Sequence, residues 1–121
     1  MLSNSRVSAI LPVVDLERAR KFYEEKLELQ ANDAPGGVMF ECGNGSQLVL
    51  YHRNSPTKAD HTAAGGEVDN VENVVKDLRE KGVVFEQYEI TDEHGIAKMG
   101  AVKGAWFKDS EGNILSVVQF E

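Results

Sequence analysis

Cysteine, proline and positive charge are all scarce in this chain. Cys42 stands alone among 121 residues, so no intrachain disulfide can form and a cross-linked secreted scaffold is excluded; a reducing cytoplasm is the setting this cysteine usage predicts. Lys and Arg number 13 against 20 Asp and Glu, a formal net charge of −7. Without an excess of cations to displace counterions, a nucleic-acid backbone is excluded as partner, and a cationic ligand is favoured over an anionic one. No apolar run reaches membrane-spanning length, and the N-terminus lacks a basic start followed by an apolar stretch, so neither a membrane span nor a secretion signal is expected. Gly-rich phosphate loops, nucleophile elbows and zinc-ligand spacings are missing as well.

What the chain does contain is a repeat. Val7-Ser8-Ala9-Ile10-Leu11-Pro12-Val13-Val14-Asp15-Leu16-Glu17 leads into a helical pattern ending near Leu27. About 55 residues later, Thr62-Ala63-Ala64-Gly65-Gly66-Glu67-Val68-Asp69-Asn70-Val71-Glu72 does the same, ending near Gly82. Ala9/Ala64, Val13/Val68, Glu17/Glu72, Lys21/Lys76, Glu25/Glu80 and Lys26/Lys81 coincide at that offset. Units this small cannot each bury a core, so the spacing predicts one domain over 1–121, with module 1 at about 5–55 and module 2 at about 60–121.

Each module reads as βαβββ. Val7, Ala9 and Leu11 alternate with polar or outward positions as a half-buried strand, which Pro12 ends or bulges. Asp15 caps a helix whose Leu16, Ala19, Phe22, Tyr23 and Leu27 form an apolar stripe, with Glu17–Lys21 and Lys21–Glu25 pairs on its wet face. Ala34-Pro35-Gly36-Gly37 is a turn, and strands Val38–Glu41 and Gln47–Tyr51 flank a three-residue turn at Gly43-Asn44-Gly45. In the second half a strand ends at Val68, Asn70 caps a helix through Val71, Val74, Val75 and Leu78, and Gly82 stops it. Val83–Phe85 begins the next strand, Gln87–Gly100 is an inserted loop of the kind that can cover a site, and Ala105–Phe107 and Ile114–Val118 make the last hairpin.

Val-Val-Asp-Leu-Glu-Arg-Ala-Arg-Lys-Phe-Tyr after the first strand, Trp-Phe-Lys-Asp-Ser-Glu-Gly-Asn-Ile-Leu near the end, and the repeat itself resemble the vicinal oxygen chelate superfamily: glyoxalase I, extradiol dioxygenases, and the fosfomycin and bleomycin resistance proteins. The resemblance covers nearly the whole chain. It implies an α+β fold in which two βαβββ modules form a cup-shaped curved sheet with helices outside, commonly as a homodimer. It also implies four metal-ligand positions, which here fall on Ser8, Val49, Ala63 and Ser116. None offers the imidazole or carboxylate a divalent ion needs, so no metal and no cofactor are expected.

Strand alternation assigns the rest of the cup. Gln47 and Tyr51 share the face of Val49, and the hairpin register adds Met39 and Glu41; Trp106 and Lys108 face inward opposite Ser116. Trp106 reads as half-buried packing or as a stacking platform. Glu41 and Lys108 occupy equivalent positions in the repeat and read as an ion pair; an unpaired, buried Glu41 would instead be the general base or the partner of a basic ligand. His61, two residues before Ala63, is a solvated strand end or an acid/base residue on the same face. Glu41 and His61 are therefore the weak catalytic candidates, while His52 and His94 receive no role and Cys42 has no histidine nearby in sequence to activate it. Three functions remain open. The first is a metal-independent, non-enzymatic binder that sequesters a small molecule, aromatic or cationic, in the cup. The second is a glyoxalase-like or dioxygenase-like enzyme with a displaced metal on Glu41 and His61, with one of Gln47 or Tyr51. The third is a non-catalytic interaction module or a metal-free enzyme using Glu41.

Overall fold

A computed structural model describes all residues, 1–121. The element order is β1 (Ser8–Val13), α1 (Leu16–Glu25), β2 (Ala31–Ala34), β3 (Gly37–Glu41), β4 (Gln47–His52), β5 (Thr62–Glu67), α2 (Val71–Glu80), β6 (Ile96–Met99), β7 (Val102–Lys108) and β8 (Ile114–Phe120). This is α+β, two βαβββ modules, each an open four-stranded mixed sheet with one helix. The strand orders are β1-β4-β3-β2 and β5-β8-β7-β6, so the two halves have the same topology. No helix is long and apolar enough to cross a membrane.

The chain forms two compact units. The first comprises Met1–Lys58 with Ser110–Gly112, the second Ala59–Asp109 with Asn113–Glu121. The tip of the last hairpin thus groups with the first unit, although sequence order puts it in module 2. Glu111 accounts for this, because its carboxylate accepts hydrogen bonds from the N–H groups of Val14 (2.7 Å) and Asp15 (3.1 Å) at the entrance to α1.

In the first unit, α1 starts where Asp15 accepts from the Arg18 N–H at 3.0 Å, and it ends at Glu25, two residues before the expected Leu27. Its buried Tyr23 stacks on Phe40 of β3, ring centroids 5.4 Å apart, which places the helix over the face carrying Val38, Phe40, Leu48 and Leu50. The ion pair on its wet side is Arg20–Glu24, with Arg20 also reaching Asp33, rather than the expected pairs through Lys21. Pro12 does not end β1: the strand runs on to Val13 because β1 is an edge strand of its sheet, where a missing N–H costs no ladder bond. Strand β2, whose bounds the sequence pattern does not mark, is a short edge strand paired with β3 through the Pro35-Gly36 turn.

In the second unit, Asn70 accepts from the Asn73 N–H at 2.9 Å and caps α2. At the other end Gly82 (φ 90) lets its own N–H reach Arg79 O and the Val83 N–H reach Leu78 O, a Schellman ending. Two expectations fail here. Val83–Phe85 is not a strand; Phe85 makes only an isolated bridge to Phe107. The first strand after α2 is β6, inside the supposed 87–100 insertion, where Ile96 and Ala97 are buried. Ile96–Met99 of that segment is therefore tied into the sheet, and Thr91 bridges to Ala97. The sequence signal was weak because β6 is short and half exposed.

Candidate functional site

In each unit one sheet face carries the helix and the other does not. The register of the first sheet pairs Ser8 with Gln47, Pro12 with Tyr51, Glu41 with Gln47 and Met39 with Val49. Directly paired residues share a face, so Ser8, Met39, Glu41, Gln47, Val49 and Tyr51 all lie opposite α1. The Gly43–Gly45 turn sets this register: Asn44 takes a left-handed conformation (φ 55), and the Cys42 N–H closes the loop on Ser46 O. Ser8 Oγ donates to Gln47 Oε1 at 3.1 Å, joining two of the six residues. Glu41 is exposed, which removes the burial its role as a base required. Burial pushes the Cys42 thiol up from its ordinary pKa, away from the reactive thiolate.

In the second sheet Trp106 pairs with Ser116, Lys108 with Ile114, and Gly65 with Ser116. Trp106, Lys108 and Ser116 accordingly share the face opposite α2, whose own side holds Phe107, Leu115 and Val117 against Val71, Val75 and Leu78. Ser116 is buried, and a Cβ on Gly65 would sit 2.5 Å from its Oγ, so a side chain there would turn the hydroxyl away. Ala63 departs from expectation. The ladder shifts between Thr62 and Ala64, so Ala63 falls in a bulge and has no cross-strand partner. His61 lies before the strand, exposed, with Nδ1 3.2 Å from Thr62 O, and the bulge breaks the two-residue alternation that would have put it on the face of Ala63. Lys108 pairs with Glu86 at 3.6 Å in place of the expected Glu41. Glu86 is held there by its own N–H, which donates to Trp106 O at 2.8 Å.

Four residues on or beside this second face were not identified from sequence. Tyr88 meets Trp106 edge to face, centroids 5.6 Å apart. Met99 and Val118 close over Gly104, which is paired with Val118 and Ala97. The single signal available for them was the apolar type of Tyr88, Met99 and Val118 themselves. Two surface grooves lie elsewhere, on the helix sides: one of about 480 Å³ lined by Val75, Arg79, His94 and Ile96, the other of about 540 Å³ lined by Leu16, Arg20, Asp33 and Val38. Some of their polar groups bond one another: Arg79 donates to His94 Nδ1 at 2.8 Å, and Arg20 pairs with Asp33 at 3.0 Å.

A divalent ion does not fit the donors present. Ser8 is committed to Gln47, Val49 and Ala63 have no donor atom, and Ser116 offers one neutral hydroxyl. No group of three or more His, Cys, Asp or Glu side chains is arranged to hold a metal.

No curated protein matches the chain. Solved structures do, at low identity. One is TnmS3, an antibiotic binding protein from Streptomyces sp. CB03234 (22% identity, TM-score 0.74, covering 100% of this chain and 99% of that one). Another is a glyoxalase/bleomycin resistance protein/dioxygenase from Alicyclobacillus acidocaldarius (18%, TM-score 0.75, covering 97% and 92%). A third is an integron cassette protein from the mobile metagenome of V. cholerae (21%, TM-score 0.69, covering 98% and 96%). Likeness at these identities speaks for the fold alone. The model of one family spans residues 6–117, from just before β1 well into β8. With both modules inside that match, the chain belongs to the glyoxalase/bleomycin resistance protein/dioxygenase superfamily.

Proposed function

We propose that this protein binds a small organic molecule on the helix-free faces of its sheets without a metal ion. The observation that carries the reading is the chemistry of the four positions where the superfamily resemblance puts ligands: serine, valine, alanine and serine, with one serine already bonded to Gln47. Those faces also carry Met39, Tyr51 and Trp106, the apolar and aromatic surface that suits an organic ligand. The antibiotic binding described for TnmS3, a protein of the same fold, is consistent with this use of the scaffold. A single domain, a homodimer and a cytoplasmic setting belong to the same reading; the interleaving of the chain between its two units, the family resemblance and the lone Cys42 support them in turn. A displaced metal on Glu41 and His61 gains no support, since both are exposed and two donors fall short of the three protein ligands a catalytic centre usually has.

The test is thermal unfolding of chelator-treated protein with and without Zn²⁺, Ni²⁺, Mn²⁺, Fe²⁺, Co²⁺ or Mg²⁺, beside elemental analysis of untreated protein. A ligand at a hundredfold excess over its dissociation constant stabilises the native state by about 2.7 kcal/mol. The expected result is no stoichiometric metal and no shift with any ion, together with a clear shift from members of an organic library. A stoichiometric metal with an upward shift would overturn the metal-free reading.

A further inference from the structure

We propose that the helix-free face of the second sheet is built for a flat aromatic cation, seated on Trp106, Met99 and Val118 with its charge toward Glu67. This rests on the small-molecule reading above and names the ligand class.

The floor comes first. A Cβ placed on Gly104 would lie 3.4 Å from Val118 Cγ1, 3.5 Å from Met99 Cε and 3.6 Å from Trp106 Cη2. Three side-chain tips therefore converge over the one residue of β7 that has no side chain, and the indole lies down along its strand. The result is a low apolar surface made of an aromatic ring, a thioether and a branched methyl. A rigid plane covers such a surface at little conformational cost, and both the ring and the sulfur favour an aromatic partner. Part of it is open to water: Met99 is 41% exposed, Tyr88 42% and Phe120 57%, and the register puts Phe120 on the same face as Val118. Tyr88, at 68° to the indole, stands as a wall beside the floor.

Charge selects the sign of the ligand. Glu67 pairs across the ladder with Val118, is exposed, and makes no ion pair. The lysine on this face, Lys108, is already held by Glu86 at 3.6 Å. A cation over the indole gains from the negative ring face as well as from the Glu67 carboxylate, and the net charge of −7 acts in the same direction.

Trp106 is the single tryptophan of the chain, so its emission reports on this face alone. Proflavine, a planar aromatic cation, should bind saturably and quench Trp106. Glu67→Gln should weaken proflavine several-fold while leaving a neutral planar probe, 9-anthracenemethanol, unchanged. Gly104→Val, which puts a branched side chain up through the converged tips, should weaken both probes tenfold or more. Met99→Ala, which removes part of the floor without adding bulk, should weaken both several-fold and covers the case in which the valine variant misfolds. Proflavine bound with unchanged Trp106 emission, or bound equally well by Glu67→Gln and Met99→Ala, would overturn the assignment. A thermal shift with decyltrimethylammonium, a flexible aliphatic cation, and none with proflavine would overturn the ligand class while sparing the small-molecule reading. No shift with either probe or with the organic library would overturn both.

Discussion

Glu111 shows how differently one residue reads in sequence and in space. In the sequence it is a polar residue of a hairpin. In the structure its side chain, 2% exposed, accepts from Val14 N, Asp15 N and both Nε and a terminal nitrogen of Arg18, at 2.6–3.1 Å. Burial alone would raise its pKa, but the Arg18 guanidinium and the two N–H groups outweigh that and hold the carboxyl below its usual range. Glu111→Gln keeps one acceptor yet turns an amide toward Arg18, so it should lower stability by about 2–3 kcal/mol, read as a lower denaturation midpoint at unchanged slope. The caps Asp15 and Asn70 were legible because each bonds a residue three positions on. Glu111 was not, because its partners lie more than ninety positions away.

At the scale of elements, glycine shows the same division. Gly82 was legible as a helix stop, since a left-handed residue after an amphipathic run is a local requirement. Gly82→Ala should cost about 1 kcal/mol through its strained φ. Gly37 looked like the end of a turn, yet its φ is not the issue: a Cβ there would run into the Leu50 carbonyl oxygen of β4. Gly37→Ala must push β3 from β4 and should cost at least about 3 kcal/mol. Urea denaturation of the two variants side by side checks the order, and equal losses would show that β3 and β4 can separate freely. Strand β6 escaped notice for a related reason. Four residues, two of them exposed, carry little periodicity, and it is pairing with β7 that makes them a strand.

For the whole molecule, acid should be the weak condition. Net charge passes through zero near pH 5.0, so self-repulsion is smallest there and cannot explain a loss of stability just below it. The folded state holds Glu111, Asp92 and Glu72 below their ordinary pKa values: Glu111 by Arg18 and two backbone N–H groups against its burial, Asp92 chiefly by the Ile96 N–H, and Glu72 chiefly by its hydrogen bond with Lys103. Their contribution is present above the unfolded carboxylate pKa and is lost as pH falls through the lowered folded values. Stability should hold level between about pH 5 and 7 and fall steeply below about pH 4, with a shallower fall in Glu111→Gln; circular dichroism with urea at each pH measures it. The repeat, both helices with their caps, and the hairpin register that put Met39, Glu41 and Val49 on one face were all determined by sequence, because each depends on short-range spacing or on residue type alone. The partner of Lys108, the bulge that displaced Ala63 and His61, the acceptors met by Glu111 and the convergence of Trp106, Met99 and Val118 over Gly104 were decided only by tertiary structure. Each depends on how separate strands align, and a one-residue change in that alignment exchanges every neighbour without altering the local pattern.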